Sequence, residues 1–292
     1  MSYVWILNPD AETEIASGGD YTAPLARQRQ MAARRAQFEP LVSGEEAYFV
    51  HELVGQQTGE GKVALFWCPT RSACRAAERA GYSTRPAPTE PVLRRVLSRE
   101  FLVGSALPAP RGRTFVRTEE HLHAEVARLG PGVALRTKRA FGCAGRGQRS
   151  LRERLVKDDA QFLRDGLALG GLLIEPELTI SREFSLHGLL LPGQTALLGA
   201  PCALSVDEHG QPTAIERCES SPETTRDLRT LAERTASVLD AAGYFGPFGI
   251  DVLEVGEGAL YVSDLNARFT LGWSTGMGDL RELALRHLLA HV

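Results

Sequence analysis

Three oxygen-bearing side chains near the end of the sequence, Asp251, Asp264 and Asn266, have the types and spacing to hold a hard divalent cation. They lie in the run Asp251-Val-Leu-Glu-Val-Gly-Glu-Gly-Ala-Leu-Tyr-Val-Ser-Asp264-Leu-Asn266-Ala-Arg268, where Gly256-Glu257-Gly258 reads as the turn of a hairpin. Pairing the two strands brings Asp251 beside Asp264, and period-2 alternation turns Asp264 and Asn266 to one face. Mg²⁺ prefers such donors and completes its shell with water and substrate phosphates. The same pattern also suits a polar hairpin whose acids face solvent.

Upstream, Lys138-Arg-Ala-Phe-Gly142-Cys-Ala-Gly145-Arg146-Gly147 follows a short apolar run at 133–137. Glycines let the backbone approach a phosphate closely, and Lys138 can place a point charge on one of its oxygens. The spacing G-x-x-G-x-G is neither the dinucleotide fingerprint nor a P-loop, and by itself it also describes a flexible loop. A third stretch, Leu172-Leu-Ile-Glu175-Pro176-Glu177-Leu178, is followed by Glu183 at the head of another strand-like run. Pro176 keeps a carbonyl but has no N–H, whereas Leu178 keeps its N–H. Glu175 and Glu177 also suit exposed loop acids. Arg95 and Arg99 lie in a helix-like segment at 92–103, and their side chains cannot be separated from sequence.

These groups need a scaffold. Tyr3 to Leu7 and Lys62 to Cys68 read as buried strands, with helical stretches around 24–37 and 71–80, so residues 1–90 form a small α/β unit with a parallel sheet. Pro86, Pro88 and Pro91 mark a linker. Further on, a helix is expected from Thr118 to Gly130. Strands follow at 133–137, 171–175 and 183–191, then a helix at 230–242 and an amphipathic one at 279–289. The segment Ser205 to Arg226 reads as a flexible stretch able to close over a site. His187 reads as structural, His121 and His123 point to different helix faces, and Arg34-Arg35 reads as a solvated face.

Composition bounds the rest. At 292 residues, 43% hydrophobic and 24% charged, the chain can bury a sizeable core divided among subdomains. A formal net charge of -3 offers no general attraction to nucleic acid or anionic membrane. No apolar run is long enough to span a bilayer, and Met1 to Leu7 lacks the pattern of a signal peptide, so a cytoplasmic protein is expected. The five cysteines have no CxxC spacing, which argues against a zinc site or a disulfide framework.

Taken in order, the three motifs resemble the ATP-grasp superfamily, of the carboxylate–amine ligase type. That family carries an acid and then an acid-x-Asn, often followed by Arg, on its last strands. Asp251, Asp264, Asn266 and Arg268 match that pattern. The second acid is usually Glu; the shorter Asp264 draws its carboxylate back and favours one metal ion over a bridged pair. The resemblance covers residues 91–292, with 91–170 as a small central subdomain and 171–292 as a C-terminal one, and matches 1–90 only loosely to the α/β domain that precedes the grasp. It implies an α/β ATP-grasp fold. It also implies that ATP is bound by Lys138, Gly142, Gly145 and Gly147, with Arg95 or Arg99 on phosphate. Glu175, Pro176 and Leu178 would meet adenine, and Glu183 the ribose. Mg²⁺, or Mn²⁺ in its place, would sit on Asp251, Asp264 and Asn266, and Arg268 would orient a carboxylate. The implied reaction activates that carboxylate as an acyl phosphate and condenses it with an amine, releasing ADP and phosphate. Both substrates are small molecules, amino acids or peptides among them; the oligomeric state is open. A kinase-like phosphotransferase, a non-catalytic nucleotide-binding protein and a dinucleotide-binding oxidoreductase are the alternatives.

Overall fold

Apolar strands alternating with helices in the first third of the chain pack as expected for βα units. In the computed structural model, which describes residues 2–18, 21–57, 59–130, 133–142, 147–151, 157–206 and 212–290, this region runs β1 (Tyr3–Leu7), α1 (Ala11–Ser17), α2 (Leu25–Ala33), a 3₁₀ turn Arg35–Phe38, α3 (Glu39–Val42), β2 (Ala47–Phe49), β3 (Val63–Phe66) and α4 (Arg71–Arg79). The strands form a parallel sheet in the order β2-β1-β3. Alternation along β1 divides its side chains between two cores: Val4 and Ile6 pack with Ala73 and Ala77 of α4, while Trp5 and Leu7 face the rest of the molecule.

The helix expected over 92–103 is instead two, α5 (Glu90–Val96) and α6 (Arg99–Gly104). Ser98 breaks it. Its backbone is extended, and its hydroxyl accepts the N–H of Glu100 at 3.2 Å, a cap that competes with helix continuation. There follow β4 (Thr114–Val116), α7 (Glu119–Leu129), β5 (Leu135–Arg139), β6 (Gln148–Leu151), α8 (Lys157–Ala168) and β7 (Leu172–Pro176), whose strands pair antiparallel in the order β4-β7-β5-β6 around Val116, Leu135, Leu172 and Ile174.

The last part comprises β8 (Ile180–Leu190), β9 (Leu197–Leu198), β10 (Cys202–Val206), β11 (Pro212–Arg217), α9 (Pro222–Ala241), β12 (Gly246–Val255), β13 (Ala259–Asn266), α10 (Trp273–Met277) and α11 (Arg281–Ala290). Its sheet is antiparallel in the order β11-β10-β8-β12-β13, with β9 beside β8. The flexible stretch expected from Ser205 to Arg226 contains the ends of two paired strands and the start of α9, because Leu204 and Ile215 pair in register; residues 207–211 lie outside the described residues.

One hydrophobic core joins the N-terminal sheet to this larger one. Trp5 meets Phe269 edge to face at 4.9 Å, and Phe269 meets Trp273 at 4.8 Å. Buried aromatic pairs of this geometry add to the stabilisation from area alone. The hairpin β12–β13 is thereby held against residues from the first part of the chain. Among the described residues, Cys68, Cys74, Cys202 and Cys218 are free thiols, and no helix is long and apolar enough to cross a membrane.

Candidate nucleotide and metal site

The hairpin forms as its glycines require. Gly256 and Gly258 adopt φ of 58° and 104°, open to glycine at little cost, and the strands they join place Asp251 directly opposite Asp264 and Gly249 opposite Asn266. These acids line a cavity of about 390 Å³ that also receives Arg99, Lys138, Glu175, Pro176, Leu178, Glu183 and Arg268. Residues from the four-stranded sheet, from the larger antiparallel sheet and from α6 thus converge on one space.

Asp251 accepts a hydrogen bond from Ser185 Oγ at 3.1 Å. Burial, and then the charge of Asp264, push its carboxyl up to about 7, partly offset by the Ser185 bond and Lys138. Burial also raises Glu183, against the pull of Arg136 and Lys138. Two facing carboxylates, Asp251 and Asp264, with the amide of Asn266 on the same hairpin are a donor set of the kind that hard divalent ions take, since a cation offsets the repulsion between the two acids. Among the described residues no three His, Cys, Asp or Glu side chains cluster closely enough for a metal; the hairpin offers two carboxylates and the oxygen of Asn266. The residues present therefore fit Mg²⁺. Asn266 Oδ1 already accepts from Arg268 Nη2 at 3.0 Å, and a carbonyl oxygen has a second lone pair to offer.

The raised Asp251 makes a pH prediction. A carboxyl whose folded pKa lies above its unfolded value contributes stability that is full below about pH 4 and is lost as pH rises through about 7. Asp251→Asn is permanently neutral. Without divalent ions it is expected to raise the thermal midpoint at pH 8 and to change it little at pH 4. The same gain at both pH values would mean that Asp251 is not held under this strain.

The cationic side is fixed by partners that sequence reading did not find. Lys138 Nζ donates to Ser263 O at 2.9 Å and Ser263 Oγ at 3.2 Å, and lies 3.0 Å from Glu175 Oε1, which ties the four-stranded sheet to β13. Arg113, absent from the sequence candidates, donates through Nε to Glu175 Oε2 at 2.7 Å and through Nη1 to Val262 O at 2.6 Å. Burial opposes ionisation of Glu175, but Lys138 and Arg113 outweigh it and hold the carboxyl below its usual value. Its carboxylate is thus held by two cations at the wall of the cavity. Glu177 pairs with Arg136 rather than facing solvent as a loop acid. Pro176 and Leu178 line the cavity beside them.

Arg95 and Arg99 part company at the Ser98 break. Arg99 is buried, donates to Asp264 Oδ2 at 2.7 Å, to Arg139 O at 2.8 Å and to Gly142 O at 3.3 Å. Arg95 is exposed, lies over the Phe101 ring at 5.6 Å and is not among the cavity walls. Gly147 has φ 78° and its carbonyl accepts the N–H of Arg139 at 2.7 Å; Gly145 lies outside the described residues.

Arg268 reaches the cavity but its guanidinium is engaged by the protein. It pairs with the buried Glu12 of α1, donates to Phe269 O at 2.8 Å and to Asn266 Oδ1, and lies over the Trp67 ring at 5.1 Å. Nothing near Glu12 in sequence signals this, because the partners are joined only by the shared core. His187 is structural: burial pushes it down to about 3, and its two nitrogens meet Ser185 Oγ at 3.2 Å and Thr270 Oγ1 at 3.1 Å. Gly276 packs on this ring so closely that a Cβ there would lie 2.2 Å from Cδ2.

No family model matches the chain, and no curated protein matches its sequence. Solved structures do. At 14% identity and a TM-score of 0.64, the chain aligns with a D-cycloserine synthetase, covering 99% of this chain and 100% of that one. It aligns with the complex of biotin carboxylase and β,γ-ATP from Campylobacter jejuni at 12% identity and a TM-score of 0.62, covering 100% and 72%. A third match is the D-alanyl-alanine synthetase A from Vibrio cholerae, at 11% identity, a TM-score of 0.59, and 99% and 98% coverage. The identities are low and the coverage nearly complete, so what is shared is architecture: the chain has the ATP-grasp fold.

Proposed function

We propose that this chain is an ATP-dependent ligase that activates a small-molecule carboxylate as an acyl phosphate and condenses it with an amine, releasing ADP and phosphate. The observation that carries the reading is the convergence, in an ATP-grasp fold, of Lys138, Arg99 and the hairpin residues Asp251, Asp264 and Asn266 on a single cavity. The solved neighbours include a carboxylase bound to β,γ-ATP and two synthetases, which supports the same class.

In this reading residues 91–292 form the grasp and 1–90 the preceding α/β unit. Lys138 and Arg99 are preorganised cations for the phosphates, already held in place by Glu175, Ser263 and Asp264. Pro176 and Leu178 provide the backbone edge for adenine, and Glu183 faces the ribose. Asp251, Asp264 and Asn266 hold Mg²⁺, which when bound neutralises phosphate charge and so favours attack by an anionic carboxylate. Arg268 has part of its donor set committed to Glu12 and Phe269, so its orientation is set before substrate arrives. The carboxylate oxygen then bonds to the γ-phosphorus as ADP leaves, and the amine displaces phosphate from the acyl carbon.

MgATP is expected to raise the thermal midpoint of the purified protein, by several degrees at saturating concentration, while NADH does not. Pooled amino acids and dipeptides incubated with MgATP, read by mass spectrometry, should then give condensed product with ADP. A phosphorylated acid that accumulates without amide would point to the phosphotransferase reading, and stabilisation by NADH alone would overturn nucleotide ligation altogether.

A further inference from the structure

The cavity runs on beyond the hairpin to α2, where its walls carry groups that ligation as described does not use. Arg27, Met31 and Arg34 line it, spaced four and three apart on one face of the helical segment, and Phe38 closes the turn that follows. Met31, Phe38 and Trp67 are buried, and the Phe38 and Trp67 rings meet edge to face at 5.3 Å. Since Arg268 lies over the same Trp67 ring, this apolar wall connects directly to the hairpin end of the site.

Charge separates the two ends. Of the cations lining the cavity, Arg99 pairs with Asp264, Arg136 with Glu177, Lys138 with Glu175 and Arg268 with Glu12. Arg27 and Arg34 pair with no carboxylate among the described residues; Arg27 Nη1 donates to the neutral amide of Gln30 at 2.7 Å. Asp10, next in sequence to the cavity-lining Pro9, accepts from the Tyr21 hydroxyl at 2.7 Å. Arg35 shows the contrast: it turns away from the cavity, pairs with Glu52 and lies over Phe49. The solvated face expected for Arg34-Arg35 is therefore split between a cavity wall and an outer ion pair.

Two guanidinium groups, Arg27 on α2 and Arg34 at its C-terminal end, paired with no carboxylate among the described residues and next to an apolar wall, match an anion carried on an apolar body. We propose that this face is the specificity subsite for the acid substrate, and that the substrate is a dianion. One carboxylate reacts at the Arg268 end, and a second anionic group, joined to it by an apolar or aromatic segment, is held by Arg27 and Arg34. The inference rests on the ligase reading for which carboxylate reacts, but the anion subsite itself is read without nucleotide.

Calorimetric titration of the full chain, with and without MgADP, tests it with 2-benzylsuccinate and its monoanionic counterpart 3-phenylpropionate. Wild type is expected to bind the dianion at least tenfold more tightly. In the Arg27→Gln/Arg34→Gln variant that preference should fall to within twofold, with ADP affinity unchanged, while Arg35→Gln, a control on the outer face, keeps it. Absence of a dianion preference in wild type, absence of binding by either acid, or a preference that survives in the double variant each overturns the proposal. A preference lost in the double variant while ADP fails to bind wild type would leave the anion subsite standing and overturn the nucleotide reading.

Discussion

Asp264→Asn is expected to leave the protein folded but to lower Mg²⁺-dependent turnover by a hundredfold or more, on the order of 3 kcal/mol in the transition state. The side chain stands at the meeting point of three influences. It faces Asp251 across the hairpin, accepts from Arg99 at 2.7 Å through Oδ2, and accepts the Leu265 N–H at 3.2 Å through Oδ1. An asparagine oxygen can keep one of these bonds, so local structure persists while the negative charge is gone. Raising Mg²⁺ should recover part of the loss, because a neutral amide still coordinates weakly. Asp264→Glu keeps the charge and changes only the reach. The short contact to Arg99 shows that the guanidinium is set for an aspartate, so the longer residue must displace it, and intermediate activity is expected. Steady-state rates over a Mg²⁺ series decide the matter: normal turnover with unaltered Mg²⁺ dependence in Asp264→Asn would remove Asp264 from the metal shell.

The second large effect is on stability. Arg268→Ala should destabilise the fold by about 3–5 kcal/mol, the scale for breaking a buried ion pair from one side. Glu12 is only 4% exposed, and its Oε2 has no hydrogen-bond partner among the described residues, so removing Arg268 strands a buried carboxylate. The pair also links α1 to the segment after β13, and its loss should loosen the N-terminal unit against the hairpin. Adding Glu12→Gln to Arg268→Ala neutralises the stranded charge and is expected to return a large part of the lost stability. Urea denaturation of the two single variants and the double variant measures this coupling. Additive losses, with no recovery in the double variant, would show that the pair does not hold the two regions together.

The sequence alone determined the parts whose physics is local. Two turn glycines flanked by alternating residues specify the hairpin, and period 2 puts Asp264 and Asn266 on one face; unbroken register would set Asp251 opposite Ser263, and a register shift beside Asp251, visible only in the structure, brings it opposite Asp264. The parallel N-terminal sheet was legible for a similar reason, since short apolar strands alternating with helices have few ways to pack. What sequence left undecided was decided by contacts between segments far apart. Arg95 and Arg99 share a face on an unbroken helix; the Ser98 cap breaks it, and only then does Arg99 turn inward to Asp264, 165 residues away. Glu175 was legible as a hinge acid, but its partners Arg113 and Lys138 come from two other segments, and burial makes their charges compulsory. Glu12 beside Arg268, and Arg27 and Arg34 at the cavity wall, depend on a core that joins residues from both ends of the chain. A side chain's type is written in sequence, whereas its partner and its burial exist only once the chain has closed on itself, and those two quantities set the charge and orientation on which the site's chemistry depends.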